Sequence, residues 1–126
     1  MGDYRTLLAY QKAFGLAMKI YRISKRFPSE ERYGLTAQIR NGSRSVCVNI
    51  VEAYKRRRYK DYYISKLNDS ETENAETQVW LDFANASDYL LPEEYAELKA
   101  DNDEVAKLVL FMINNPEKFI IHAGAD

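Results

Sequence analysis

The stretch that decides the fold is residues 59–90, YKDYYISKLNDSETENAETQVWLDFANASDYL, whose 32 residues include no Pro or Gly. Inner positions recur along it at steps of three and four: Tyr63, Leu67, Ser70, Asn74, Thr77, Leu81 and Ala84. Because an α-helix turns once every ~3.6 residues, positions with this spacing share one face. The stretch therefore predicts one long helix, over about residues 59–90, that buries this face.

Stripes of the same spacing lie on either side of this helix, and they predict further helices over about residues 8–26, 35–57 and 92–114. Pro28 ends the first of these, because its ring cannot continue a helix. Gly34 precedes the second, and Pro92 occupies the first turn of the last, where its missing N–H does no harm.

Four helices joined by short connections predict the all-α class, with one domain over residues 1–126. The predicted architecture is an antiparallel up-and-down four-helix bundle with left-handed packing, its neighbouring helices crossing at about 20°. Gly42 and Ser43 are small, so a neighbouring helix can approach closely there. Residues 117–126 are expected to form a frayed tail.

Composition narrows the class of protein and its environment. The chain is 46% apolar and carries a single cysteine, Cys47, which excludes an internal disulfide and every multi-cysteine zinc pattern. No apolar run approaches the ~20 residues of a membrane span, and the first residues do not resemble a cleaved leader. We therefore expect a cytoplasmic protein with no membrane partner and with Cys47 buried as a small apolar group.

The charges are sorted along the chain. Residues 1–66 hold 15 Lys and Arg against 5 Asp and Glu, whereas residues 67–126 hold 3 against 14. The net charge of -1 thus joins a strongly basic half to a strongly acidic half. These halves either face each other, within a subunit or between copies, or leave the basic half exposed to a polyanion.

The basic collar, defined as residues 55–60, places five positive charges in six residues. The candidate nucleic-acid-binding set comprises Arg40, Arg44, Lys55, Arg56, Arg57, Arg58 and Lys60. Phosphates can bind the charges while unpaired bases stack on Tyr54, Tyr59, Tyr62 and Tyr63 nearby. The alternative is a solvated turn whose arginines pair with acidic residues, since no known nucleic-acid motif is present.

A group of polar residues interrupts the apolar faces of the second and third helices: Asn49, Glu52, Glu71, Asn74 and Gln78. If both faces turn inward, these side chains form a polar core network or a contact between subunits. Arg40, Arg44 and Arg56 are the candidate partners of Glu52. A dinuclear metal site is not expected, because it needs Glu-x-x-His on two helices and the one histidine, His122, lies in the tail.

Catalytic chemistry has little support in this sequence. A nucleophile needs a neighbouring base, and His122 is far along the chain from Cys47. No Gly-rich phosphate loop follows a strand, since no strand is expected. We therefore predict that the protein is not an enzyme and has no cofactor and no small-molecule substrate.

The ten tyrosines exceed what a bundle of this size can bury. Tyrosine favours places where one end of the side chain is dry and the other wet, as at an assembly interface. The candidate oligomer-interface residues are Tyr54, Tyr62, Trp80 and Tyr89. Trp80 lies beside the inner stripe and is the strongest single candidate for an anchor.

The segment FPSEERYGLTAQIRNGSRSVCVNIVEAYKRRR at residues 27–58, together with NAETQVWL at 74–81, resembles the small bacterial four-helix-bundle proteins encoded in intervening sequences of 23S ribosomal RNA genes. The resemblance spans about residues 5–115. It implies an up-and-down bundle, commonly a homopentamer, of unestablished role. Ala53 replaces a glycine of the family pattern and Asn74 replaces a carboxylate, which weakens any transfer of an acidic site.

Three hypotheses of function follow. The first is a non-catalytic homo-oligomer, whose subunit number, five, comes from the resemblance alone. The second is an RNA-binding protein that repeats the basic collar around a ring. The third is an adaptor for another protein, suggested by acidic residues of the last helix: Glu93, Glu94, Glu97, Asp101, Asp103 and Glu104.

Overall fold

The computed structural model describes residues 2–120, and within that range every regular element is helical. The four helices are α1 (Leu8–Ser24), α2 (Leu35–Lys55), α3 (Lys60–Ala86) and α4 (Pro92–Asn114). Short 3-10 turns span Tyr4–Thr6, Ser29–Glu31 and Pro116–Lys118. The predicted all-α four-helix class is confirmed. In residues 2–120 there is no helix with the length and apolarity needed to cross a membrane.

Contacts between helices define the order and direction of the bundle. Each helix packs against its sequence neighbours, and α1 closes the ring against α4. The end of α1 meets the start of α4, since Arg26 pairs with Glu94 at 2.6 Å. Earlier in α1, Lys12 pairs with Glu104, further along α4, at 3.5 Å. The two helices are therefore antiparallel, as an up-and-down bundle requires; the left-handed sense of packing stays a prediction.

The inner faces predicted from the sequence form the core. The seven predicted positions of α3, from Tyr63 to Ala84, are all buried. The other helices contribute stripes with the same spacing, including Ile20, Ile50 and Val105, each at most 2% exposed. Close packing of these branched side chains stabilises the bundle, because each buried aliphatic side chain contributes roughly 1.5–3 kcal/mol relative to an exposed one.

α2 and α3 approach each other closely at Gly42. A Cβ atom at this position would lie 3.1 Å from Thr77 Oγ1 and 3.8 Å from Trp80 Cδ1. The neighbouring Ser43 is also buried and returns its hydroxyl to the Ile39 carbonyl at 2.8 Å. The close approach expected from two small residues is confirmed, and it explains why glycine fits here.

The helix bounds differ from the sequence prediction at four places. α1 ends at Ser24 rather than 26 and α2 at Lys55 rather than 57. α3 begins at Lys60 and stops at Ala86, four residues before the predicted end. Asp88 adopts a left-handed conformation, φ 61°, and the Tyr89 N–H donates to the Ala84 carbonyl at 2.9 Å. This pattern satisfies the terminal carbonyls and ends a helix without glycine or proline.

The predicted tail is partly ordered against the bundle. Pro116–Lys118 form a turn, and the Phe119 ring packs edge-on against Phe111 at 6.2 Å between centroids. Residues 116–120 therefore extend the hydrophobic cluster instead of fraying. The rest of the predicted tail, residues 121–126 with His122, lies outside the described residues.

Replacing Tyr63 with phenylalanine is expected to raise the free energy of unfolding by about 1 kcal/mol, because a buried hydroxyl without a hydrogen bond carries an uncompensated desolvation cost. Tyr63 is 0% exposed, and its hydroxyl has no hydrogen-bond partner within residues 2–120. Urea denaturation measures the change, with Tyr62→Phe on the exposed side as the matched control. Destabilisation by Tyr63→Phe would show that the hydroxyl is bonded in solution.

Candidate functional site

The basic collar lies where α2 ends and α3 begins, and its members are not equivalent. Lys55, Arg56, Arg58 and Lys60 are exposed to solvent, whereas Arg57 is buried. The short α2–α3 connection places the four exposed residues around one end of the bundle. This end is therefore positively charged, as the sequence predicts, but with four exposed cations instead of five.

Arg57 belongs to the protein interior, which corrects its assignment to the exposed collar. Its side chain is 7% exposed, and Nη1 donates to the Tyr54 carbonyl oxygen at 2.7 Å. Its guanidinium carbon lies 3.9 Å from the centroid of the Tyr54 ring. Tyr54 is 8% exposed, so it is an internal residue and not the free interface anchor predicted from the sequence. The pair consolidates the end of α2 instead of facing a partner.

Arg40 and Arg44 are also separate from the collar. At a rise of 1.5 Å per residue, Arg44 lies about 16 Å along the helix from Lys55. The guanidinium carbons of Arg40 and Arg44 lie 4.8 and 5.7 Å from the ring centroid of Tyr21 on α1. Arg40 Nε also donates to Ser24 Oγ at 2.8 Å. Arg40 therefore holds α2 to α1, and the predicted basic set forms two surfaces instead of one.

Two tyrosines remain available beside the collar. Tyr59 is 58% exposed and Tyr62 is 42% exposed. The guanidinium carbon of Arg56 lies 5.3 Å from the Tyr62 ring centroid, which holds that ring beside the positive charge. Tyr63 is part of the core. The aromatic surface expected near the collar is thus formed by Tyr59 and Tyr62.

The predicted polar network divides among three environments. Asn49 is buried but donates to the Ser45 carbonyl of its own helix at 2.9 Å. Glu52 is partly exposed and pairs with Lys66 of α3 at 2.9 Å, not with any of the arginines proposed for it. Glu71 is exposed to solvent. The five residues therefore do not meet in the bundle interior.

The remaining two members, Asn74 and Gln78, do form a network, with a partner that the sequence analysis missed. Asn74 Nδ2 donates to the Asn102 carbonyl at 3.2 Å, and Asn102 Nδ2 donates to the Asn74 carbonyl at 3.1 Å. Gln78 Oε1 lies 3.4 Å from Asn102 Nδ2. Asn102 stands between Leu98 and Val105 on the inner stripe of α4, and that spacing could have revealed it. The network links α3 to α4.

A row of ion pairs joins α1 to α4. Lys19 Nζ lies 2.7 Å from Asp101 and 3.0 Å from Glu97. The Lys12–Glu104 and Arg26–Glu94 pairs extend the row in both directions, and the hydrogen bond from Arg26 lowers the pKa of Glu94. Basic and acidic halves of the chain therefore neutralise each other in part within one protomer. This corrects the expectation that both surfaces are free, and it leaves less of the acidic face of α4 for an adaptor role.

The α1–α2 groove is a largely apolar concavity on the described surface. It has a volume of about 440 Å³, and its lining includes Tyr10, Phe14, Met18, Cys47, Val48 and Val51. Phe14 is 50% exposed and Val48 53% exposed. Burial raises the pKa of the Cys47 thiol from 9.0 to about 11, so this sulfur is protonated at neutral pH. The groove offers apolar contact area rather than reactive groups.

The outer face of α3 carries a second apolar surface. Val79 and Phe83 lie one turn apart and are 47% and 55% exposed. The Trp80 ring lies 6.2 Å from that of Phe83 and is partly buried beside the inner stripe, as predicted. Tyr89 instead packs on Phe27 and donates its hydroxyl to Glu31 at 2.9 Å, so it is engaged within the protomer and is not a free interface anchor.

Known proteins share this arrangement of helices. The family model described as 23S rRNA-intervening sequence protein matches residues 5–110. Among solved structures, a Bacteroides thetaiotaomicron protein described as having unknown function, from the S23 ribosomal protein family, is similar. The similarity covers 85% of this chain and 96% of that one, with 27% sequence identity and a TM-score of 0.77. No curated protein matches this chain.

Proposed function

This chain belongs to the 23S rRNA-intervening sequence protein family, and on that premise we propose that it is a non-catalytic cytoplasmic module that assembles into a homopentamer. The observation that carries the proposal is the exposure of large apolar side chains in two contiguous surfaces, the α1–α2 groove and the outer face of α3. Contiguous apolar surfaces on a small protein favour association with another surface. The number of subunits comes from the family resemblance.

Apolar burial, more than charge, is the driving force in this proposal. The ion pairs between α1 and α4 already satisfy several charges within the protomer. Exposed ion pairs contribute only about 0–1 kcal/mol each, so charge orients subunits more than it holds them together. Half-exposed side chains such as Phe14 and Phe83 can each contribute on the order of 1 kcal/mol once an interface covers them.

The non-catalytic part of the proposal rests on the chemistry of the one thiol. Cys47 lines the α1–α2 groove, yet its raised pKa keeps it protonated and therefore a poor nucleophile. Its Sγ lies 3.8 Å from the Ser43 carbonyl oxygen, an acceptor that cannot remove its proton. A catalytic cysteine needs the opposite environment, with a base or a cation that stabilises the thiolate.

The mass of the protein in solution tests the assembly. Light scattering coupled to gel filtration is expected to give close to five times the 14.7 kDa of one chain, and the value should hold at 0.5 M salt because apolar contacts dominate. A protein that stays at the mass of one chain at all concentrations would contradict the proposal. A mass that corresponds to another closed oligomer would support self-assembly but contradict the proposed number of five subunits.

RNA binding is a second candidate function, favoured by the basic end of the bundle. Lys55, Arg56 and Lys60 are exposed there beside Tyr59 and Tyr62. Cations that bind phosphates, next to rings on which bases stack, form the pattern expected for unpaired RNA. Cyclic assembly would repeat this end in every subunit, so weak single sites could act together.

The RNA hypothesis predicts that Lys55→Ala, Arg56→Ala and Lys60→Ala together abolish binding to structured RNA and leave the oligomer mass unchanged. The matched control replaces three exposed cations elsewhere, Arg22, Arg32 and Lys107, and removes the same charge. Filter binding at 50 and 200 mM salt should show a loss of affinity of about tenfold or more for the wild type, since bound cations are released from RNA. If both triple variants lose the same affinity for RNA, the protein attracts RNA through its overall charge and not through the basic collar.

A further inference from the structure

The two apolar surfaces of the bundle are complementary to each other. We infer that the α1–α2 groove of one protomer receives the outer face of α3, defined as Thr72, Ala75, Glu76, Val79 and Phe83, from a second copy of this chain. The inference rests on the proposed self-assembly and specifies which surfaces meet.

Shape supports a helix as the occupant of the groove. The groove runs between two antiparallel helices, with Phe14 on one wall and Val48 on the other. Val79 and Phe83 present two apolar side chains about 6 Å apart along one helical face, which is the i, i+4 anchor spacing of a helix bound in a groove. Thr72 and Ala75 are small, so the rest of that face allows the two surfaces to approach closely.

Charge selects this face over the other exposed apolar surface. The named face of α3 includes the carboxylate of Glu76, and residues 67–86 contain no Lys or Arg. The groove is bordered by Arg44, whose side chain is exposed and places a positive charge at its edge. Glu52, the acidic residue in the groove lining, is paired with Lys66. An acidic helix face is therefore attracted to the groove.

The competing apolar surface lies at the α1–α4 end and includes Leu8, Leu110 and Phe111, each between 44% and 52% exposed. Its surroundings are mixed in charge, because Lys107 and Lys118 lie on the same part of the chain as Glu104. The Lys118 Nζ lies 5.5 Å from the Phe111 ring centroid, which places a cation on this surface. The positively charged border of the groove therefore attracts this α1–α4 surface less than it attracts the outer face of α3.

In the proposed pentamer the contact between copies is heterologous. Each protomer uses its groove toward one neighbour and its α3 face toward the other, and such contacts close into a ring when the rotation between subunits permits. A twofold dimer would instead pair each groove reciprocally with the α3 face of the other copy, and light scattering distinguishes it by a mass twice that of one chain.

Three variants test the contact, and each replaces an exposed apolar residue by glutamate. Val48→Glu changes the groove and Phe83→Glu changes the α3 face, whereas Leu110→Glu on α4 is the control. All three residues are about half exposed, so each carboxylate can reach solvent in the folded protomer. Val48→Glu and Phe83→Glu are each expected to lower the mass in light scattering to that of one chain, with the helical circular dichroism unchanged. Leu110→Glu is expected to keep the wild-type mass.

Mixing the first two variants gives a sharper result. Val48→Glu retains its α3 face and Phe83→Glu retains its groove, so an equimolar mixture can form one intact contact. Its mass is expected to be twice that of one chain, whereas neither variant alone associates. Three results would overturn the assigned surfaces: wild-type mass in both variants, no complex in the mixture, or dissociation caused by Leu110→Glu. In each case a wild-type protein that is oligomeric would still support the proposed function. A monomeric wild type would overturn both.

Discussion

Arg57→Ala is expected to lower the free energy of unfolding by about 3 kcal/mol, a large effect for a residue in a sequence run of exposed cations. The side chain is 7% exposed and donates to the Tyr54 carbonyl at 2.7 Å, near the C-terminal end of α2. Its positive charge there interacts favourably with the partial negative charge of the helix end. The alanine variant loses this charged hydrogen bond, the contact with the Tyr54 ring and the buried volume together.

Arg56→Ala is the matched control for this prediction. Arg56 is the preceding residue, is exposed to solvent, and its guanidinium carbon lies 5.3 Å from the Tyr62 ring centroid. Its loss is expected to change the free energy of unfolding by less than about 0.5 kcal/mol. Arg57→Lys should fall between the two, since it keeps the charge but not the planar group. Urea denaturation at one protein concentration gives all three values, and equal values for Arg56→Ala and Arg57→Ala would refute the structural role.

Helix number and burial could be predicted from the sequence because the apolar spacing is regular over long stretches. α4 has the bounds predicted, since Pro92 and Pro116 mark both ends. The predicted end of α3 was wrong because Asp88 adopts the left-handed conformation that glycine usually occupies. Ser87 and Asp88 favour turns, and Asp tolerates the left-handed conformation, but neither residue type by itself fixes where the helix ends.

Helical geometry explains why the polar network was only half predicted. Asn74 lies near the centre of the buried stripe, and Glu71 is displaced from it by about 60° around the helix, enough to reach solvent. Gln78 lies between these extremes and is partly buried. Spacing of three and four thus identifies a common side of the helix but does not separate its centre from its border.

The order of the helices in the bundle decides which charged residues lie next to each other, and the composition of the sequence does not reveal that order. An up-and-down bundle sets the first helix beside the last, so the basic residues of α1 meet the acidic residues of α4 in one protomer. Lys12, Lys19 and Arg26 recur every seven residues and all face α4. A basic half and an acidic half of the sequence therefore do not become two oppositely charged halves of the molecule.

Cys47 is expected to make the protein lose stability above pH 9. Burial raises the pKa of its thiol from 9.0 to about 11 in the folded state. Below pH 9 the folded and unfolded chains both hold the proton, so the thiol adds no pH dependence. Between pH 9 and 11 only the unfolded chain releases it, and stability falls by up to about 1.4 kcal/mol per pH unit, or about 2.7 kcal/mol across the window.

Cys47→Ala isolates this contribution from the tyrosines and lysines that also titrate there. The free energy of unfolding of each protein is measured at pH 8 and at pH 11, and the difference between the two drops belongs to the thiol. The wild type is expected to lose about 2 kcal/mol more than the variant. Docking of a second copy over the α1–α2 groove would remove further water from Cys47 and enlarge the difference. Parallel drops in both proteins would show that the thiol ionises as freely in the folded chain as in the unfolded one, which an open, hydrated groove would require.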